Sequence, residues 1–224
     1  KSKIISADEI SEFARITVQH DVSVAEAFVE ALVDQGVTIE QIFSKLFAPA
    51  ARLLGQLWES DNFTFSDVTI GLSRIQQLIH EFSPFFETEG EHKLCARSGL
   101  LVPMPGEHHS LGLMMVEEFF RRAGWNIWSP SDLTDNQVIS AVKQERFDMV
   151  GISVTCELQK ERMAVLIKSI KAASRNRGIV VMVGGRIFND EPSLVAKIGA
   201  DATDRDGSNA VSRFELIADR STHQ

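Results

Sequence analysis

The change of hydrophobic rhythm along the chain predicts two architectures in one molecule: an N-terminal four-helix bundle, then an α/β domain with a doubly wound, five-stranded parallel sheet. Two observations carry this. Before Pro84, apolar residues recur at about 3.6-residue spacing behind helix-start signals. After it, short apolar runs rich in Val and Ile alternate with amphipathic stretches. A third observation divides the two: residues 87–93 (ETEGEHK) are charged and contain a glycine, and read as a linker. The expected organisation is a bundle domain at 1–86, its helices at 6–83, a linker at 87–93 and the α/β domain at 94–224.

In the bundle, Ser6 with Glu9, Ser23 with Glu26 and Thr38 with Gln41 have capping-box spacing and mark three helix starts. The third helix carries the clearest stripe: Ile39, Ile42, Phe43, Leu46 and Phe47, continued by Ala50, Leu53, Leu54, Leu57 and Trp58. Pro49 interrupts it, so a kink or short break is expected there. Asp61 and Asn62 read as a turn, and a fourth helix places Val68, Leu72, Ile75, Ile79 and Phe82 on one side until Pro84 ends the pattern. Short connections between four such helices favour antiparallel packing.

Beyond the linker the strand candidates are residues 100–102, 125–128, 149–152 and 179–183, with a weak Ala200-Asp201-Ala202 last. Helix candidates lie near 110–123, 135–144, 159–174, 191–198 and 208–218. Right-handed crossovers between parallel strands then predict the flavodoxin-like order 2-1-3-4-5. Ligands of such sheets bind beyond the carboxyl ends of the strands, which selects the loops 103–109, 153–157 and 184–188.

Composition narrows the function. Hydrophobic residues make up 44% of the 224 residues and charged residues 24%, as in an ordinary globular protein. A net charge of -8, with basic residues scattered among acids, argues against direct contact with a nucleic-acid backbone. Cys95 and Cys156 are too few for a disulfide scaffold and suit a reducing compartment. No apolar run approaches the roughly 20 residues of a membrane span, and the N-terminus lacks the apolar core of a signal peptide. A cytoplasmic protein without membrane contact is expected. No Ser–His–acid set, zinc quartet or phosphate loop can be assembled, so no enzymatic activity is expected.

The three loops carry the candidate site. The first contains Glu107, His109 and Gly112. A carboxylate two residues before a histidine suits it to accept one imidazole N–H and aim the other nitrogen at a metal. The second runs Ser153, Val154, Thr155, Cys156, and the third begins Gly184-Gly185-Arg186. Each has a plainer reading. Taken alone, Ser153 is a helix-capping hydroxyl, Cys156 a buried thiol, and the glycine pair a tight turn. His108 is expected at the surface, Trp125 and Trp128 in packing, and Trp58 either in the bundle core or as a cap over a ligand.

Taken together, Glu107-x-His109-x-x-Gly112, Ser153-x-Thr155 and Gly184-Gly185 resemble, in order and spacing, the cobalamin-binding signature D-x-H-x-x-G, S-x-L, G-G. The stretches Ala48-Pro49-Ala50-Ala51 and Leu54-Gly55-Gln56-Leu57-Trp58 resemble the helical cap preceding such domains in methionine synthase and B12-dependent regulators. Residues 67–76 (DVTIGLSRIQ) and 184–188 (GGRIF) look most like the AppA, PpaA and AerR antirepressor group of purple photosynthetic bacteria, in the form carrying a SCHIC domain as in AppA. That resemblance implies a heme-type tetrapyrrole on His109 as axial ligand, with Cys156 the alternative. Glu107, Gly112, Ser153, Thr155, Gly184, Gly185 and Trp58 would line the cofactor site. It further implies redox and light sensing, regulation of photosynthesis genes, and a repressor of the PpsR/CrtJ type as partner. Three departures weigh against ordinary cobalamin binding and leave a tetrapyrrole held by His109: in the signature Glu107 stands for Asp and Thr155 for Leu, and in the bundle Val68-Thr69 stands for the Glu-His pair of many B12-dependent regulators. The alternatives are a cobalamin module of a corrinoid methyltransferase, a B12-dependent regulator, or an interaction module whose cofactor site is vestigial. The site is expected at one end of the sheet, facing the bundle near Trp58.

Overall fold

The computed structural model describes residues 3–88, 96–107, 111–154, 159–204 and 207–221. The chain divides into two compact units, Lys1–Gly90 and Glu91–Gln224. No helix among the described residues is long and apolar enough to cross a membrane.

The first unit is helical throughout: α1 (Ala7–Gln19), α2 (Val22–Asp34), α3 (Ile39–Gln41), a π-helical segment (Ile42–Phe47), α4 (Ala48–Glu59) and α5 (Phe65–Thr88). Segments α3, π and α4 join end to end, so the unit has the four expected rods. Ser6–Glu9 and Thr38–Gln41 form reciprocal capping boxes, as their spacing predicts. Ser23 does not cap α2. The helix starts at Val22 with Asp21 as N-cap, whose side chain makes no capping hydrogen bond but whose charge favours the positive helix end.

Pro49 does not end the third rod; the irregularity there is a run of π-helical turns just before it. Pro49 lies in the first turn of α4, directly after the π-helical turns, where the Ala48 N–H reaches back five residues to the Phe43 carbonyl. The wider winding clears the proline ring from the preceding turn, the usual source of the kink. Pro84 likewise fails to end the fourth rod, which runs on to Thr88. Continuing the helix buries Phe86 completely and stacks it on Phe43 at 4.6 Å and 10°. A fully buried Phe contributes about 1.5–3 kcal/mol and an aromatic pair about 0.5–1.5 more. Together these offset the cost of about 3 kcal/mol for an interior proline. Phe13, Phe47, Leu46 and Leu54 complete this core. Gly71 lets α5 approach α4 and α1 closely, since a Cβ there would meet Leu54 Cδ1 at 2.9 Å and Thr17 Oγ1 at 3.2 Å.

The second unit contains β1 (Ser98–Pro103), α6 (Leu111–Arg122), β2 (Asn126–Trp128), α7 (Asp135–Gln144), β3 (Met149–Ser153), α8 (Lys160–Ala173), β4 (Val180–Gly184), α9 (Arg186–Asp190), α10 (Leu194–Lys197) and α11 (Ala210–Ser221). The strands lie parallel in the order β2-β1-β3-β4. Alternate residues face opposite layers. Leu100, Val102, Val150, Ile152, Val181 and Val183 pack with α7 and α8. Leu101, Met149, Val180 and Met182 pack with α6 and α11 on the other face.

A fifth strand does not form among the described residues. At its place Ala202 makes one isolated parallel bridge to Met182. The reason lies in Asp201, whose carboxylate takes the Val181 N–H at 2.7 Å while its own N–H donates to the Val181 carbonyl at 2.8 Å. The Val183 N–H donates to the Ala202 carbonyl at 2.9 Å, so two backbone bonds and one side-chain bond close the edge of β4 around a single bridge, and Asp disfavours extending it into a strand. The helix expected at 191–198 forms only as α10, with α9 starting directly after Gly185 and Pro192 between the two. Trp125 packs edge-on against Phe120 and Phe214, whereas Trp128 is half-exposed and stacks on Phe147.

Candidate cofactor-binding site

The parallel register puts Pro103, Ser153 and Gly184 in one row at the carboxyl ends of β1, β3 and β4. Two hydrogen bonds carry the ladder one step further: the Met104 N–H donates to the Ser153 carbonyl at 2.7 Å, and the Val154 N–H to the Gly184 carbonyl at 2.9 Å. Of the predicted residues, Ser153 and Gly184 are therefore direct neighbours.

The two glycines have separate tasks. Gly185 has φ +138 and ψ 160, backbone that only glycine adopts readily, and a Cβ there would stand 1.9 Å from the Val154 carbonyl oxygen. It brings the loop after β4 against the loop after β3. Gly184 has no such constraint: a Cβ would meet nothing within 4 Å. Gly112, in the first turn of α6, is equally open.

Glu107 is buried, only 8% exposed, at the end of a tight turn in which its N–H donates to the Met104 carbonyl at 2.8 Å. Gly106 supplies that turn with φ +93. The Gln159 amide, beside the start of α8, donates to Glu107 Oε1 at 3.4 Å. Gln159 in turn accepts from Arg162 Nη1 at 3.3 Å, and the same guanidinium donates to the Pro105 carbonyl at 2.8 Å. Its Nε and Nη2 grip both carboxylate oxygens of Asp135, in the first turn of α7, at 3.0 and 2.7 Å. Sequence reasoning missed Gln159, Arg162 and Asp135. The one available signal was the Gln159-x-x-Arg162 spacing, which sets two long polar side chains on one helix face beside the loop.

His109, Thr155 and Cys156, together with His108, lie outside the described residues. Trp58 belongs to the helical unit, where it leaves the apolar core, is 48% exposed, and meets Phe65 edge-on at 6.1 Å. Among the described residues no group of three or more His, Cys, Asp or Glu forms a metal cluster. A surface groove of about 520 Å³ opens in the helical unit beside Asp21, Thr69 and Arg74. No predicted site residue lines it, and Arg74 there caps the end of α1 through the Thr17 and Val18 carbonyls.

The row at the sheet end suits a bound organic cofactor with polar arms. Gly112 and Gly184 leave open space that a side chain would fill. Thr203, directly after the Ala202 bridge, has a buried hydroxyl with no hydrogen-bond partner among the described residues, and a buried hydroxyl without a partner is costly unless a ligand satisfies it.

Fold and strand-end loops thus define a class: a doubly wound α/β ligand-binding domain carried with a helical bundle. Residues 97–215 match the B12 binding domain family, and the chain belongs to that family. It is 31% identical over 184 residues to an uncharacterised 20.5 kDa protein of Rhodobacter capsulatus from the bchF-crtJ intergenic region, covering 81% of this chain and 94% of that protein. Its fold is similar to that of the Methanosarcina barkeri monomethylamine corrinoid protein, with a TM-score of 0.78 at 18% identity over 94% of this chain and all of the other. A cobalamin-binding protein of Desulfitobacterium hafniense is more distant, with a TM-score of 0.50 at 15% identity, covering 96% of this chain and 99% of that one.

Proposed function

We propose that the chain is a heme-type tetrapyrrole-binding regulatory module of an AppA-like, SCHIC-domain antirepressor, which binds a repressor of the PpsR/CrtJ type and performs no catalysis of its own. The observation that carries the ligand half is the strand-end row, in which Ser153 and Gly184 lie side by side above the Gly185–Val154 contact, with open space at Gly184. His109 would be the axial ligand and Cys156 its alternative, and the bound metal would supply a coordination position sensitive to redox state. Glu107 would accept the other imidazole N–H of His109, and Ser153, Thr155, Gly112, Gly184 and Gly185 would border the ligand. Trp58, exposed on the helical unit, is the further ligand contact that the sequence resemblance implies.

The regulatory half is supported by the relative from the bchF-crtJ intergenic region and by charge. Residues 1–90 hold 14 acidic against 6 basic residues, whereas residues 91–224 hold 17 of each, so the whole net charge of -8 falls on the helical unit. Such a surface attracts the basic DNA-binding face of a repressor at low salt and repels DNA itself. A ligand with different affinity for two arrangements of the units would then bias partner binding.

The test is spectroscopic first. Titration of the purified chain with hemin shifts the Soret band, methylcobalamin gives no spectral change, and His109→Ala weakens hemin binding at least about tenfold, within the range that outer-shell changes alone reach. Binding of methylcobalamin alone would instead assign a corrinoid module. In the second step the chain lowers repressor–operator affinity. Unchanged repressor–DNA binding, with or without hemin, while this chain itself retards operator DNA, overturns the antirepressor reading.

A further inference from the structure

We infer that Arg162 is the positioning residue of the cofactor loop: through Pro105 and Gln159 it fixes the turn and the Glu107 carboxylate on which the candidate ligand His109 depends. The inference rests on the function proposed above. Its physical content lies in one guanidinium that joins three segments, namely the loop after β1, the first turn of α7 and the start of α8, with four hydrogen bonds of 2.7–3.3 Å.

Stability alone does not explain this arrangement. Arg162 and Asp135 side chains are 47% and 35% exposed, and exposed ion pairs contribute only about 0–1 kcal/mol. What the bidentate grip supplies is direction. Anchored to both Asp135 oxygens, the planar fork is left with Nη1 aimed at the Pro105 carbonyl and at Gln159 Oε1. Because Oε1 of Gln159 must accept from Arg162, its Nε2 is the atom turned to Glu107. Arg162 therefore sets the polarity of the Gln159 amide that meets the buried carboxylate, and also clamps the residue two positions before it. Lysine, a compact charge with three rotatable donors and no planar fork, cannot hold Asp135 bidentately while keeping a fixed direction towards Pro105 and Gln159.

The experiment compares the full chain with Arg162→Gln, Arg162→Lys and Gln159→Leu. In the ligand-free protein, amide exchange at Glu107, whose N–H closes the turn on Met104, is expected at least about tenfold faster in Arg162→Gln, with Val150 in β3 unchanged as the folding control. With hemin as probe, Arg162→Gln moves the Soret maximum and weakens binding about tenfold, and Arg162→Lys recovers part of each. Gln159→Leu shifts the spectrum while leaving the turn protected, a separation that a merely structural brace would not produce. Unchanged exchange at Glu107 in Arg162→Gln overturns the inference, as does wild-type hemin affinity and spectrum in a variant whose turn has loosened. Failure of the wild-type chain to bind hemin overturns the function and the ligand role of Arg162 together, whereas these variant results overturn the role of Arg162 alone.

Discussion

Adjacent glycines at the end of β4 should respond to the same substitution in opposite ways. Alanine at Gly185 takes a φ of +138 with ψ 160 and sets its methyl 1.9 Å from the Val154 carbonyl oxygen. The backbone conformation costs on the order of 1–3 kcal/mol for a non-glycine residue. The carbonyl cannot withdraw without pulling on Val154, whose N–H bonds to Gly184 at 2.9 Å, a contribution of about 0.5–1.5 kcal/mol. The expected loss is roughly 2–4 kcal/mol. For a domain of this size each kcal/mol moves the midpoint by about 2–4 °C, so the transition of the α/β unit should fall by roughly 5–15 °C in calorimetry. Gly184→Ala introduces no contact within 4 Å and no positive φ, so its stability should stay within about 0.5 kcal/mol of wild type. Its methyl enters the space assigned to the ligand, and hemin affinity should drop roughly tenfold, equivalent to about 1.4 kcal/mol. A Gly185→Ala protein that melts like wild type would refute the close-approach argument. A Gly184→Ala protein with wild-type hemin affinity would show that nothing binds at that residue.

Three further outcomes follow from the helical unit. Glu26 has its pKa raised, chiefly by a hydrogen bond with Glu81 and then by repulsion from it. A folded pKa above the unfolded one means that stability is present at acid pH and is lost as pH rises through the folded value. Glu26→Gln should therefore melt higher than wild type at pH 7, with the gap closing towards pH 4; a gap independent of pH contradicts the assignment. Phe43→Ala removes a fully buried ring from its stack with Phe86 and its tilted contact with Phe47 and should cost about 3–5 kcal/mol in urea unfolding, so a loss below 1 kcal/mol would disprove the role given to this stack. Trp58→Ala, at a half-exposed position, should change stability by less than about 1 kcal/mol yet weaken hemin binding about 2- to 10-fold if the ring contacts the ligand, and unaltered hemin binding would remove it from the site.

Periodicity and spacing by themselves placed most helices and the first four strands, predicted a parallel order 2-1-3-4-5 of which 2-1-3-4 forms, and selected the loops that crown the sheet. These follow from local rules: apolar stripes, capping boxes at Ser6 and Thr38, and β-rich runs read the same in sequence as in the fold. Tertiary structure decided the rest, because packing and hydrogen-bond competition are invisible to local pattern. Burial of Phe86 against Phe43 carried α5 through Pro84, a π-helical stretch absorbed Pro49, and Asp201 at the edge of β4 held the fifth strand to a single bridge. The site divides in the same way. The residue types Glu107, Ser153 and Gly184-Gly185 were legible because the signature is local. That Gly185 closes on Val154 while Gly184 faces open space depends on register between strands about 30 residues apart. The hub at Arg162 depends on still more distant neighbours, since its partners Pro105 and Asp135 lie 57 and 27 residues away along the chain. Only the folded sheet brings their oxygens within reach of one guanidinium.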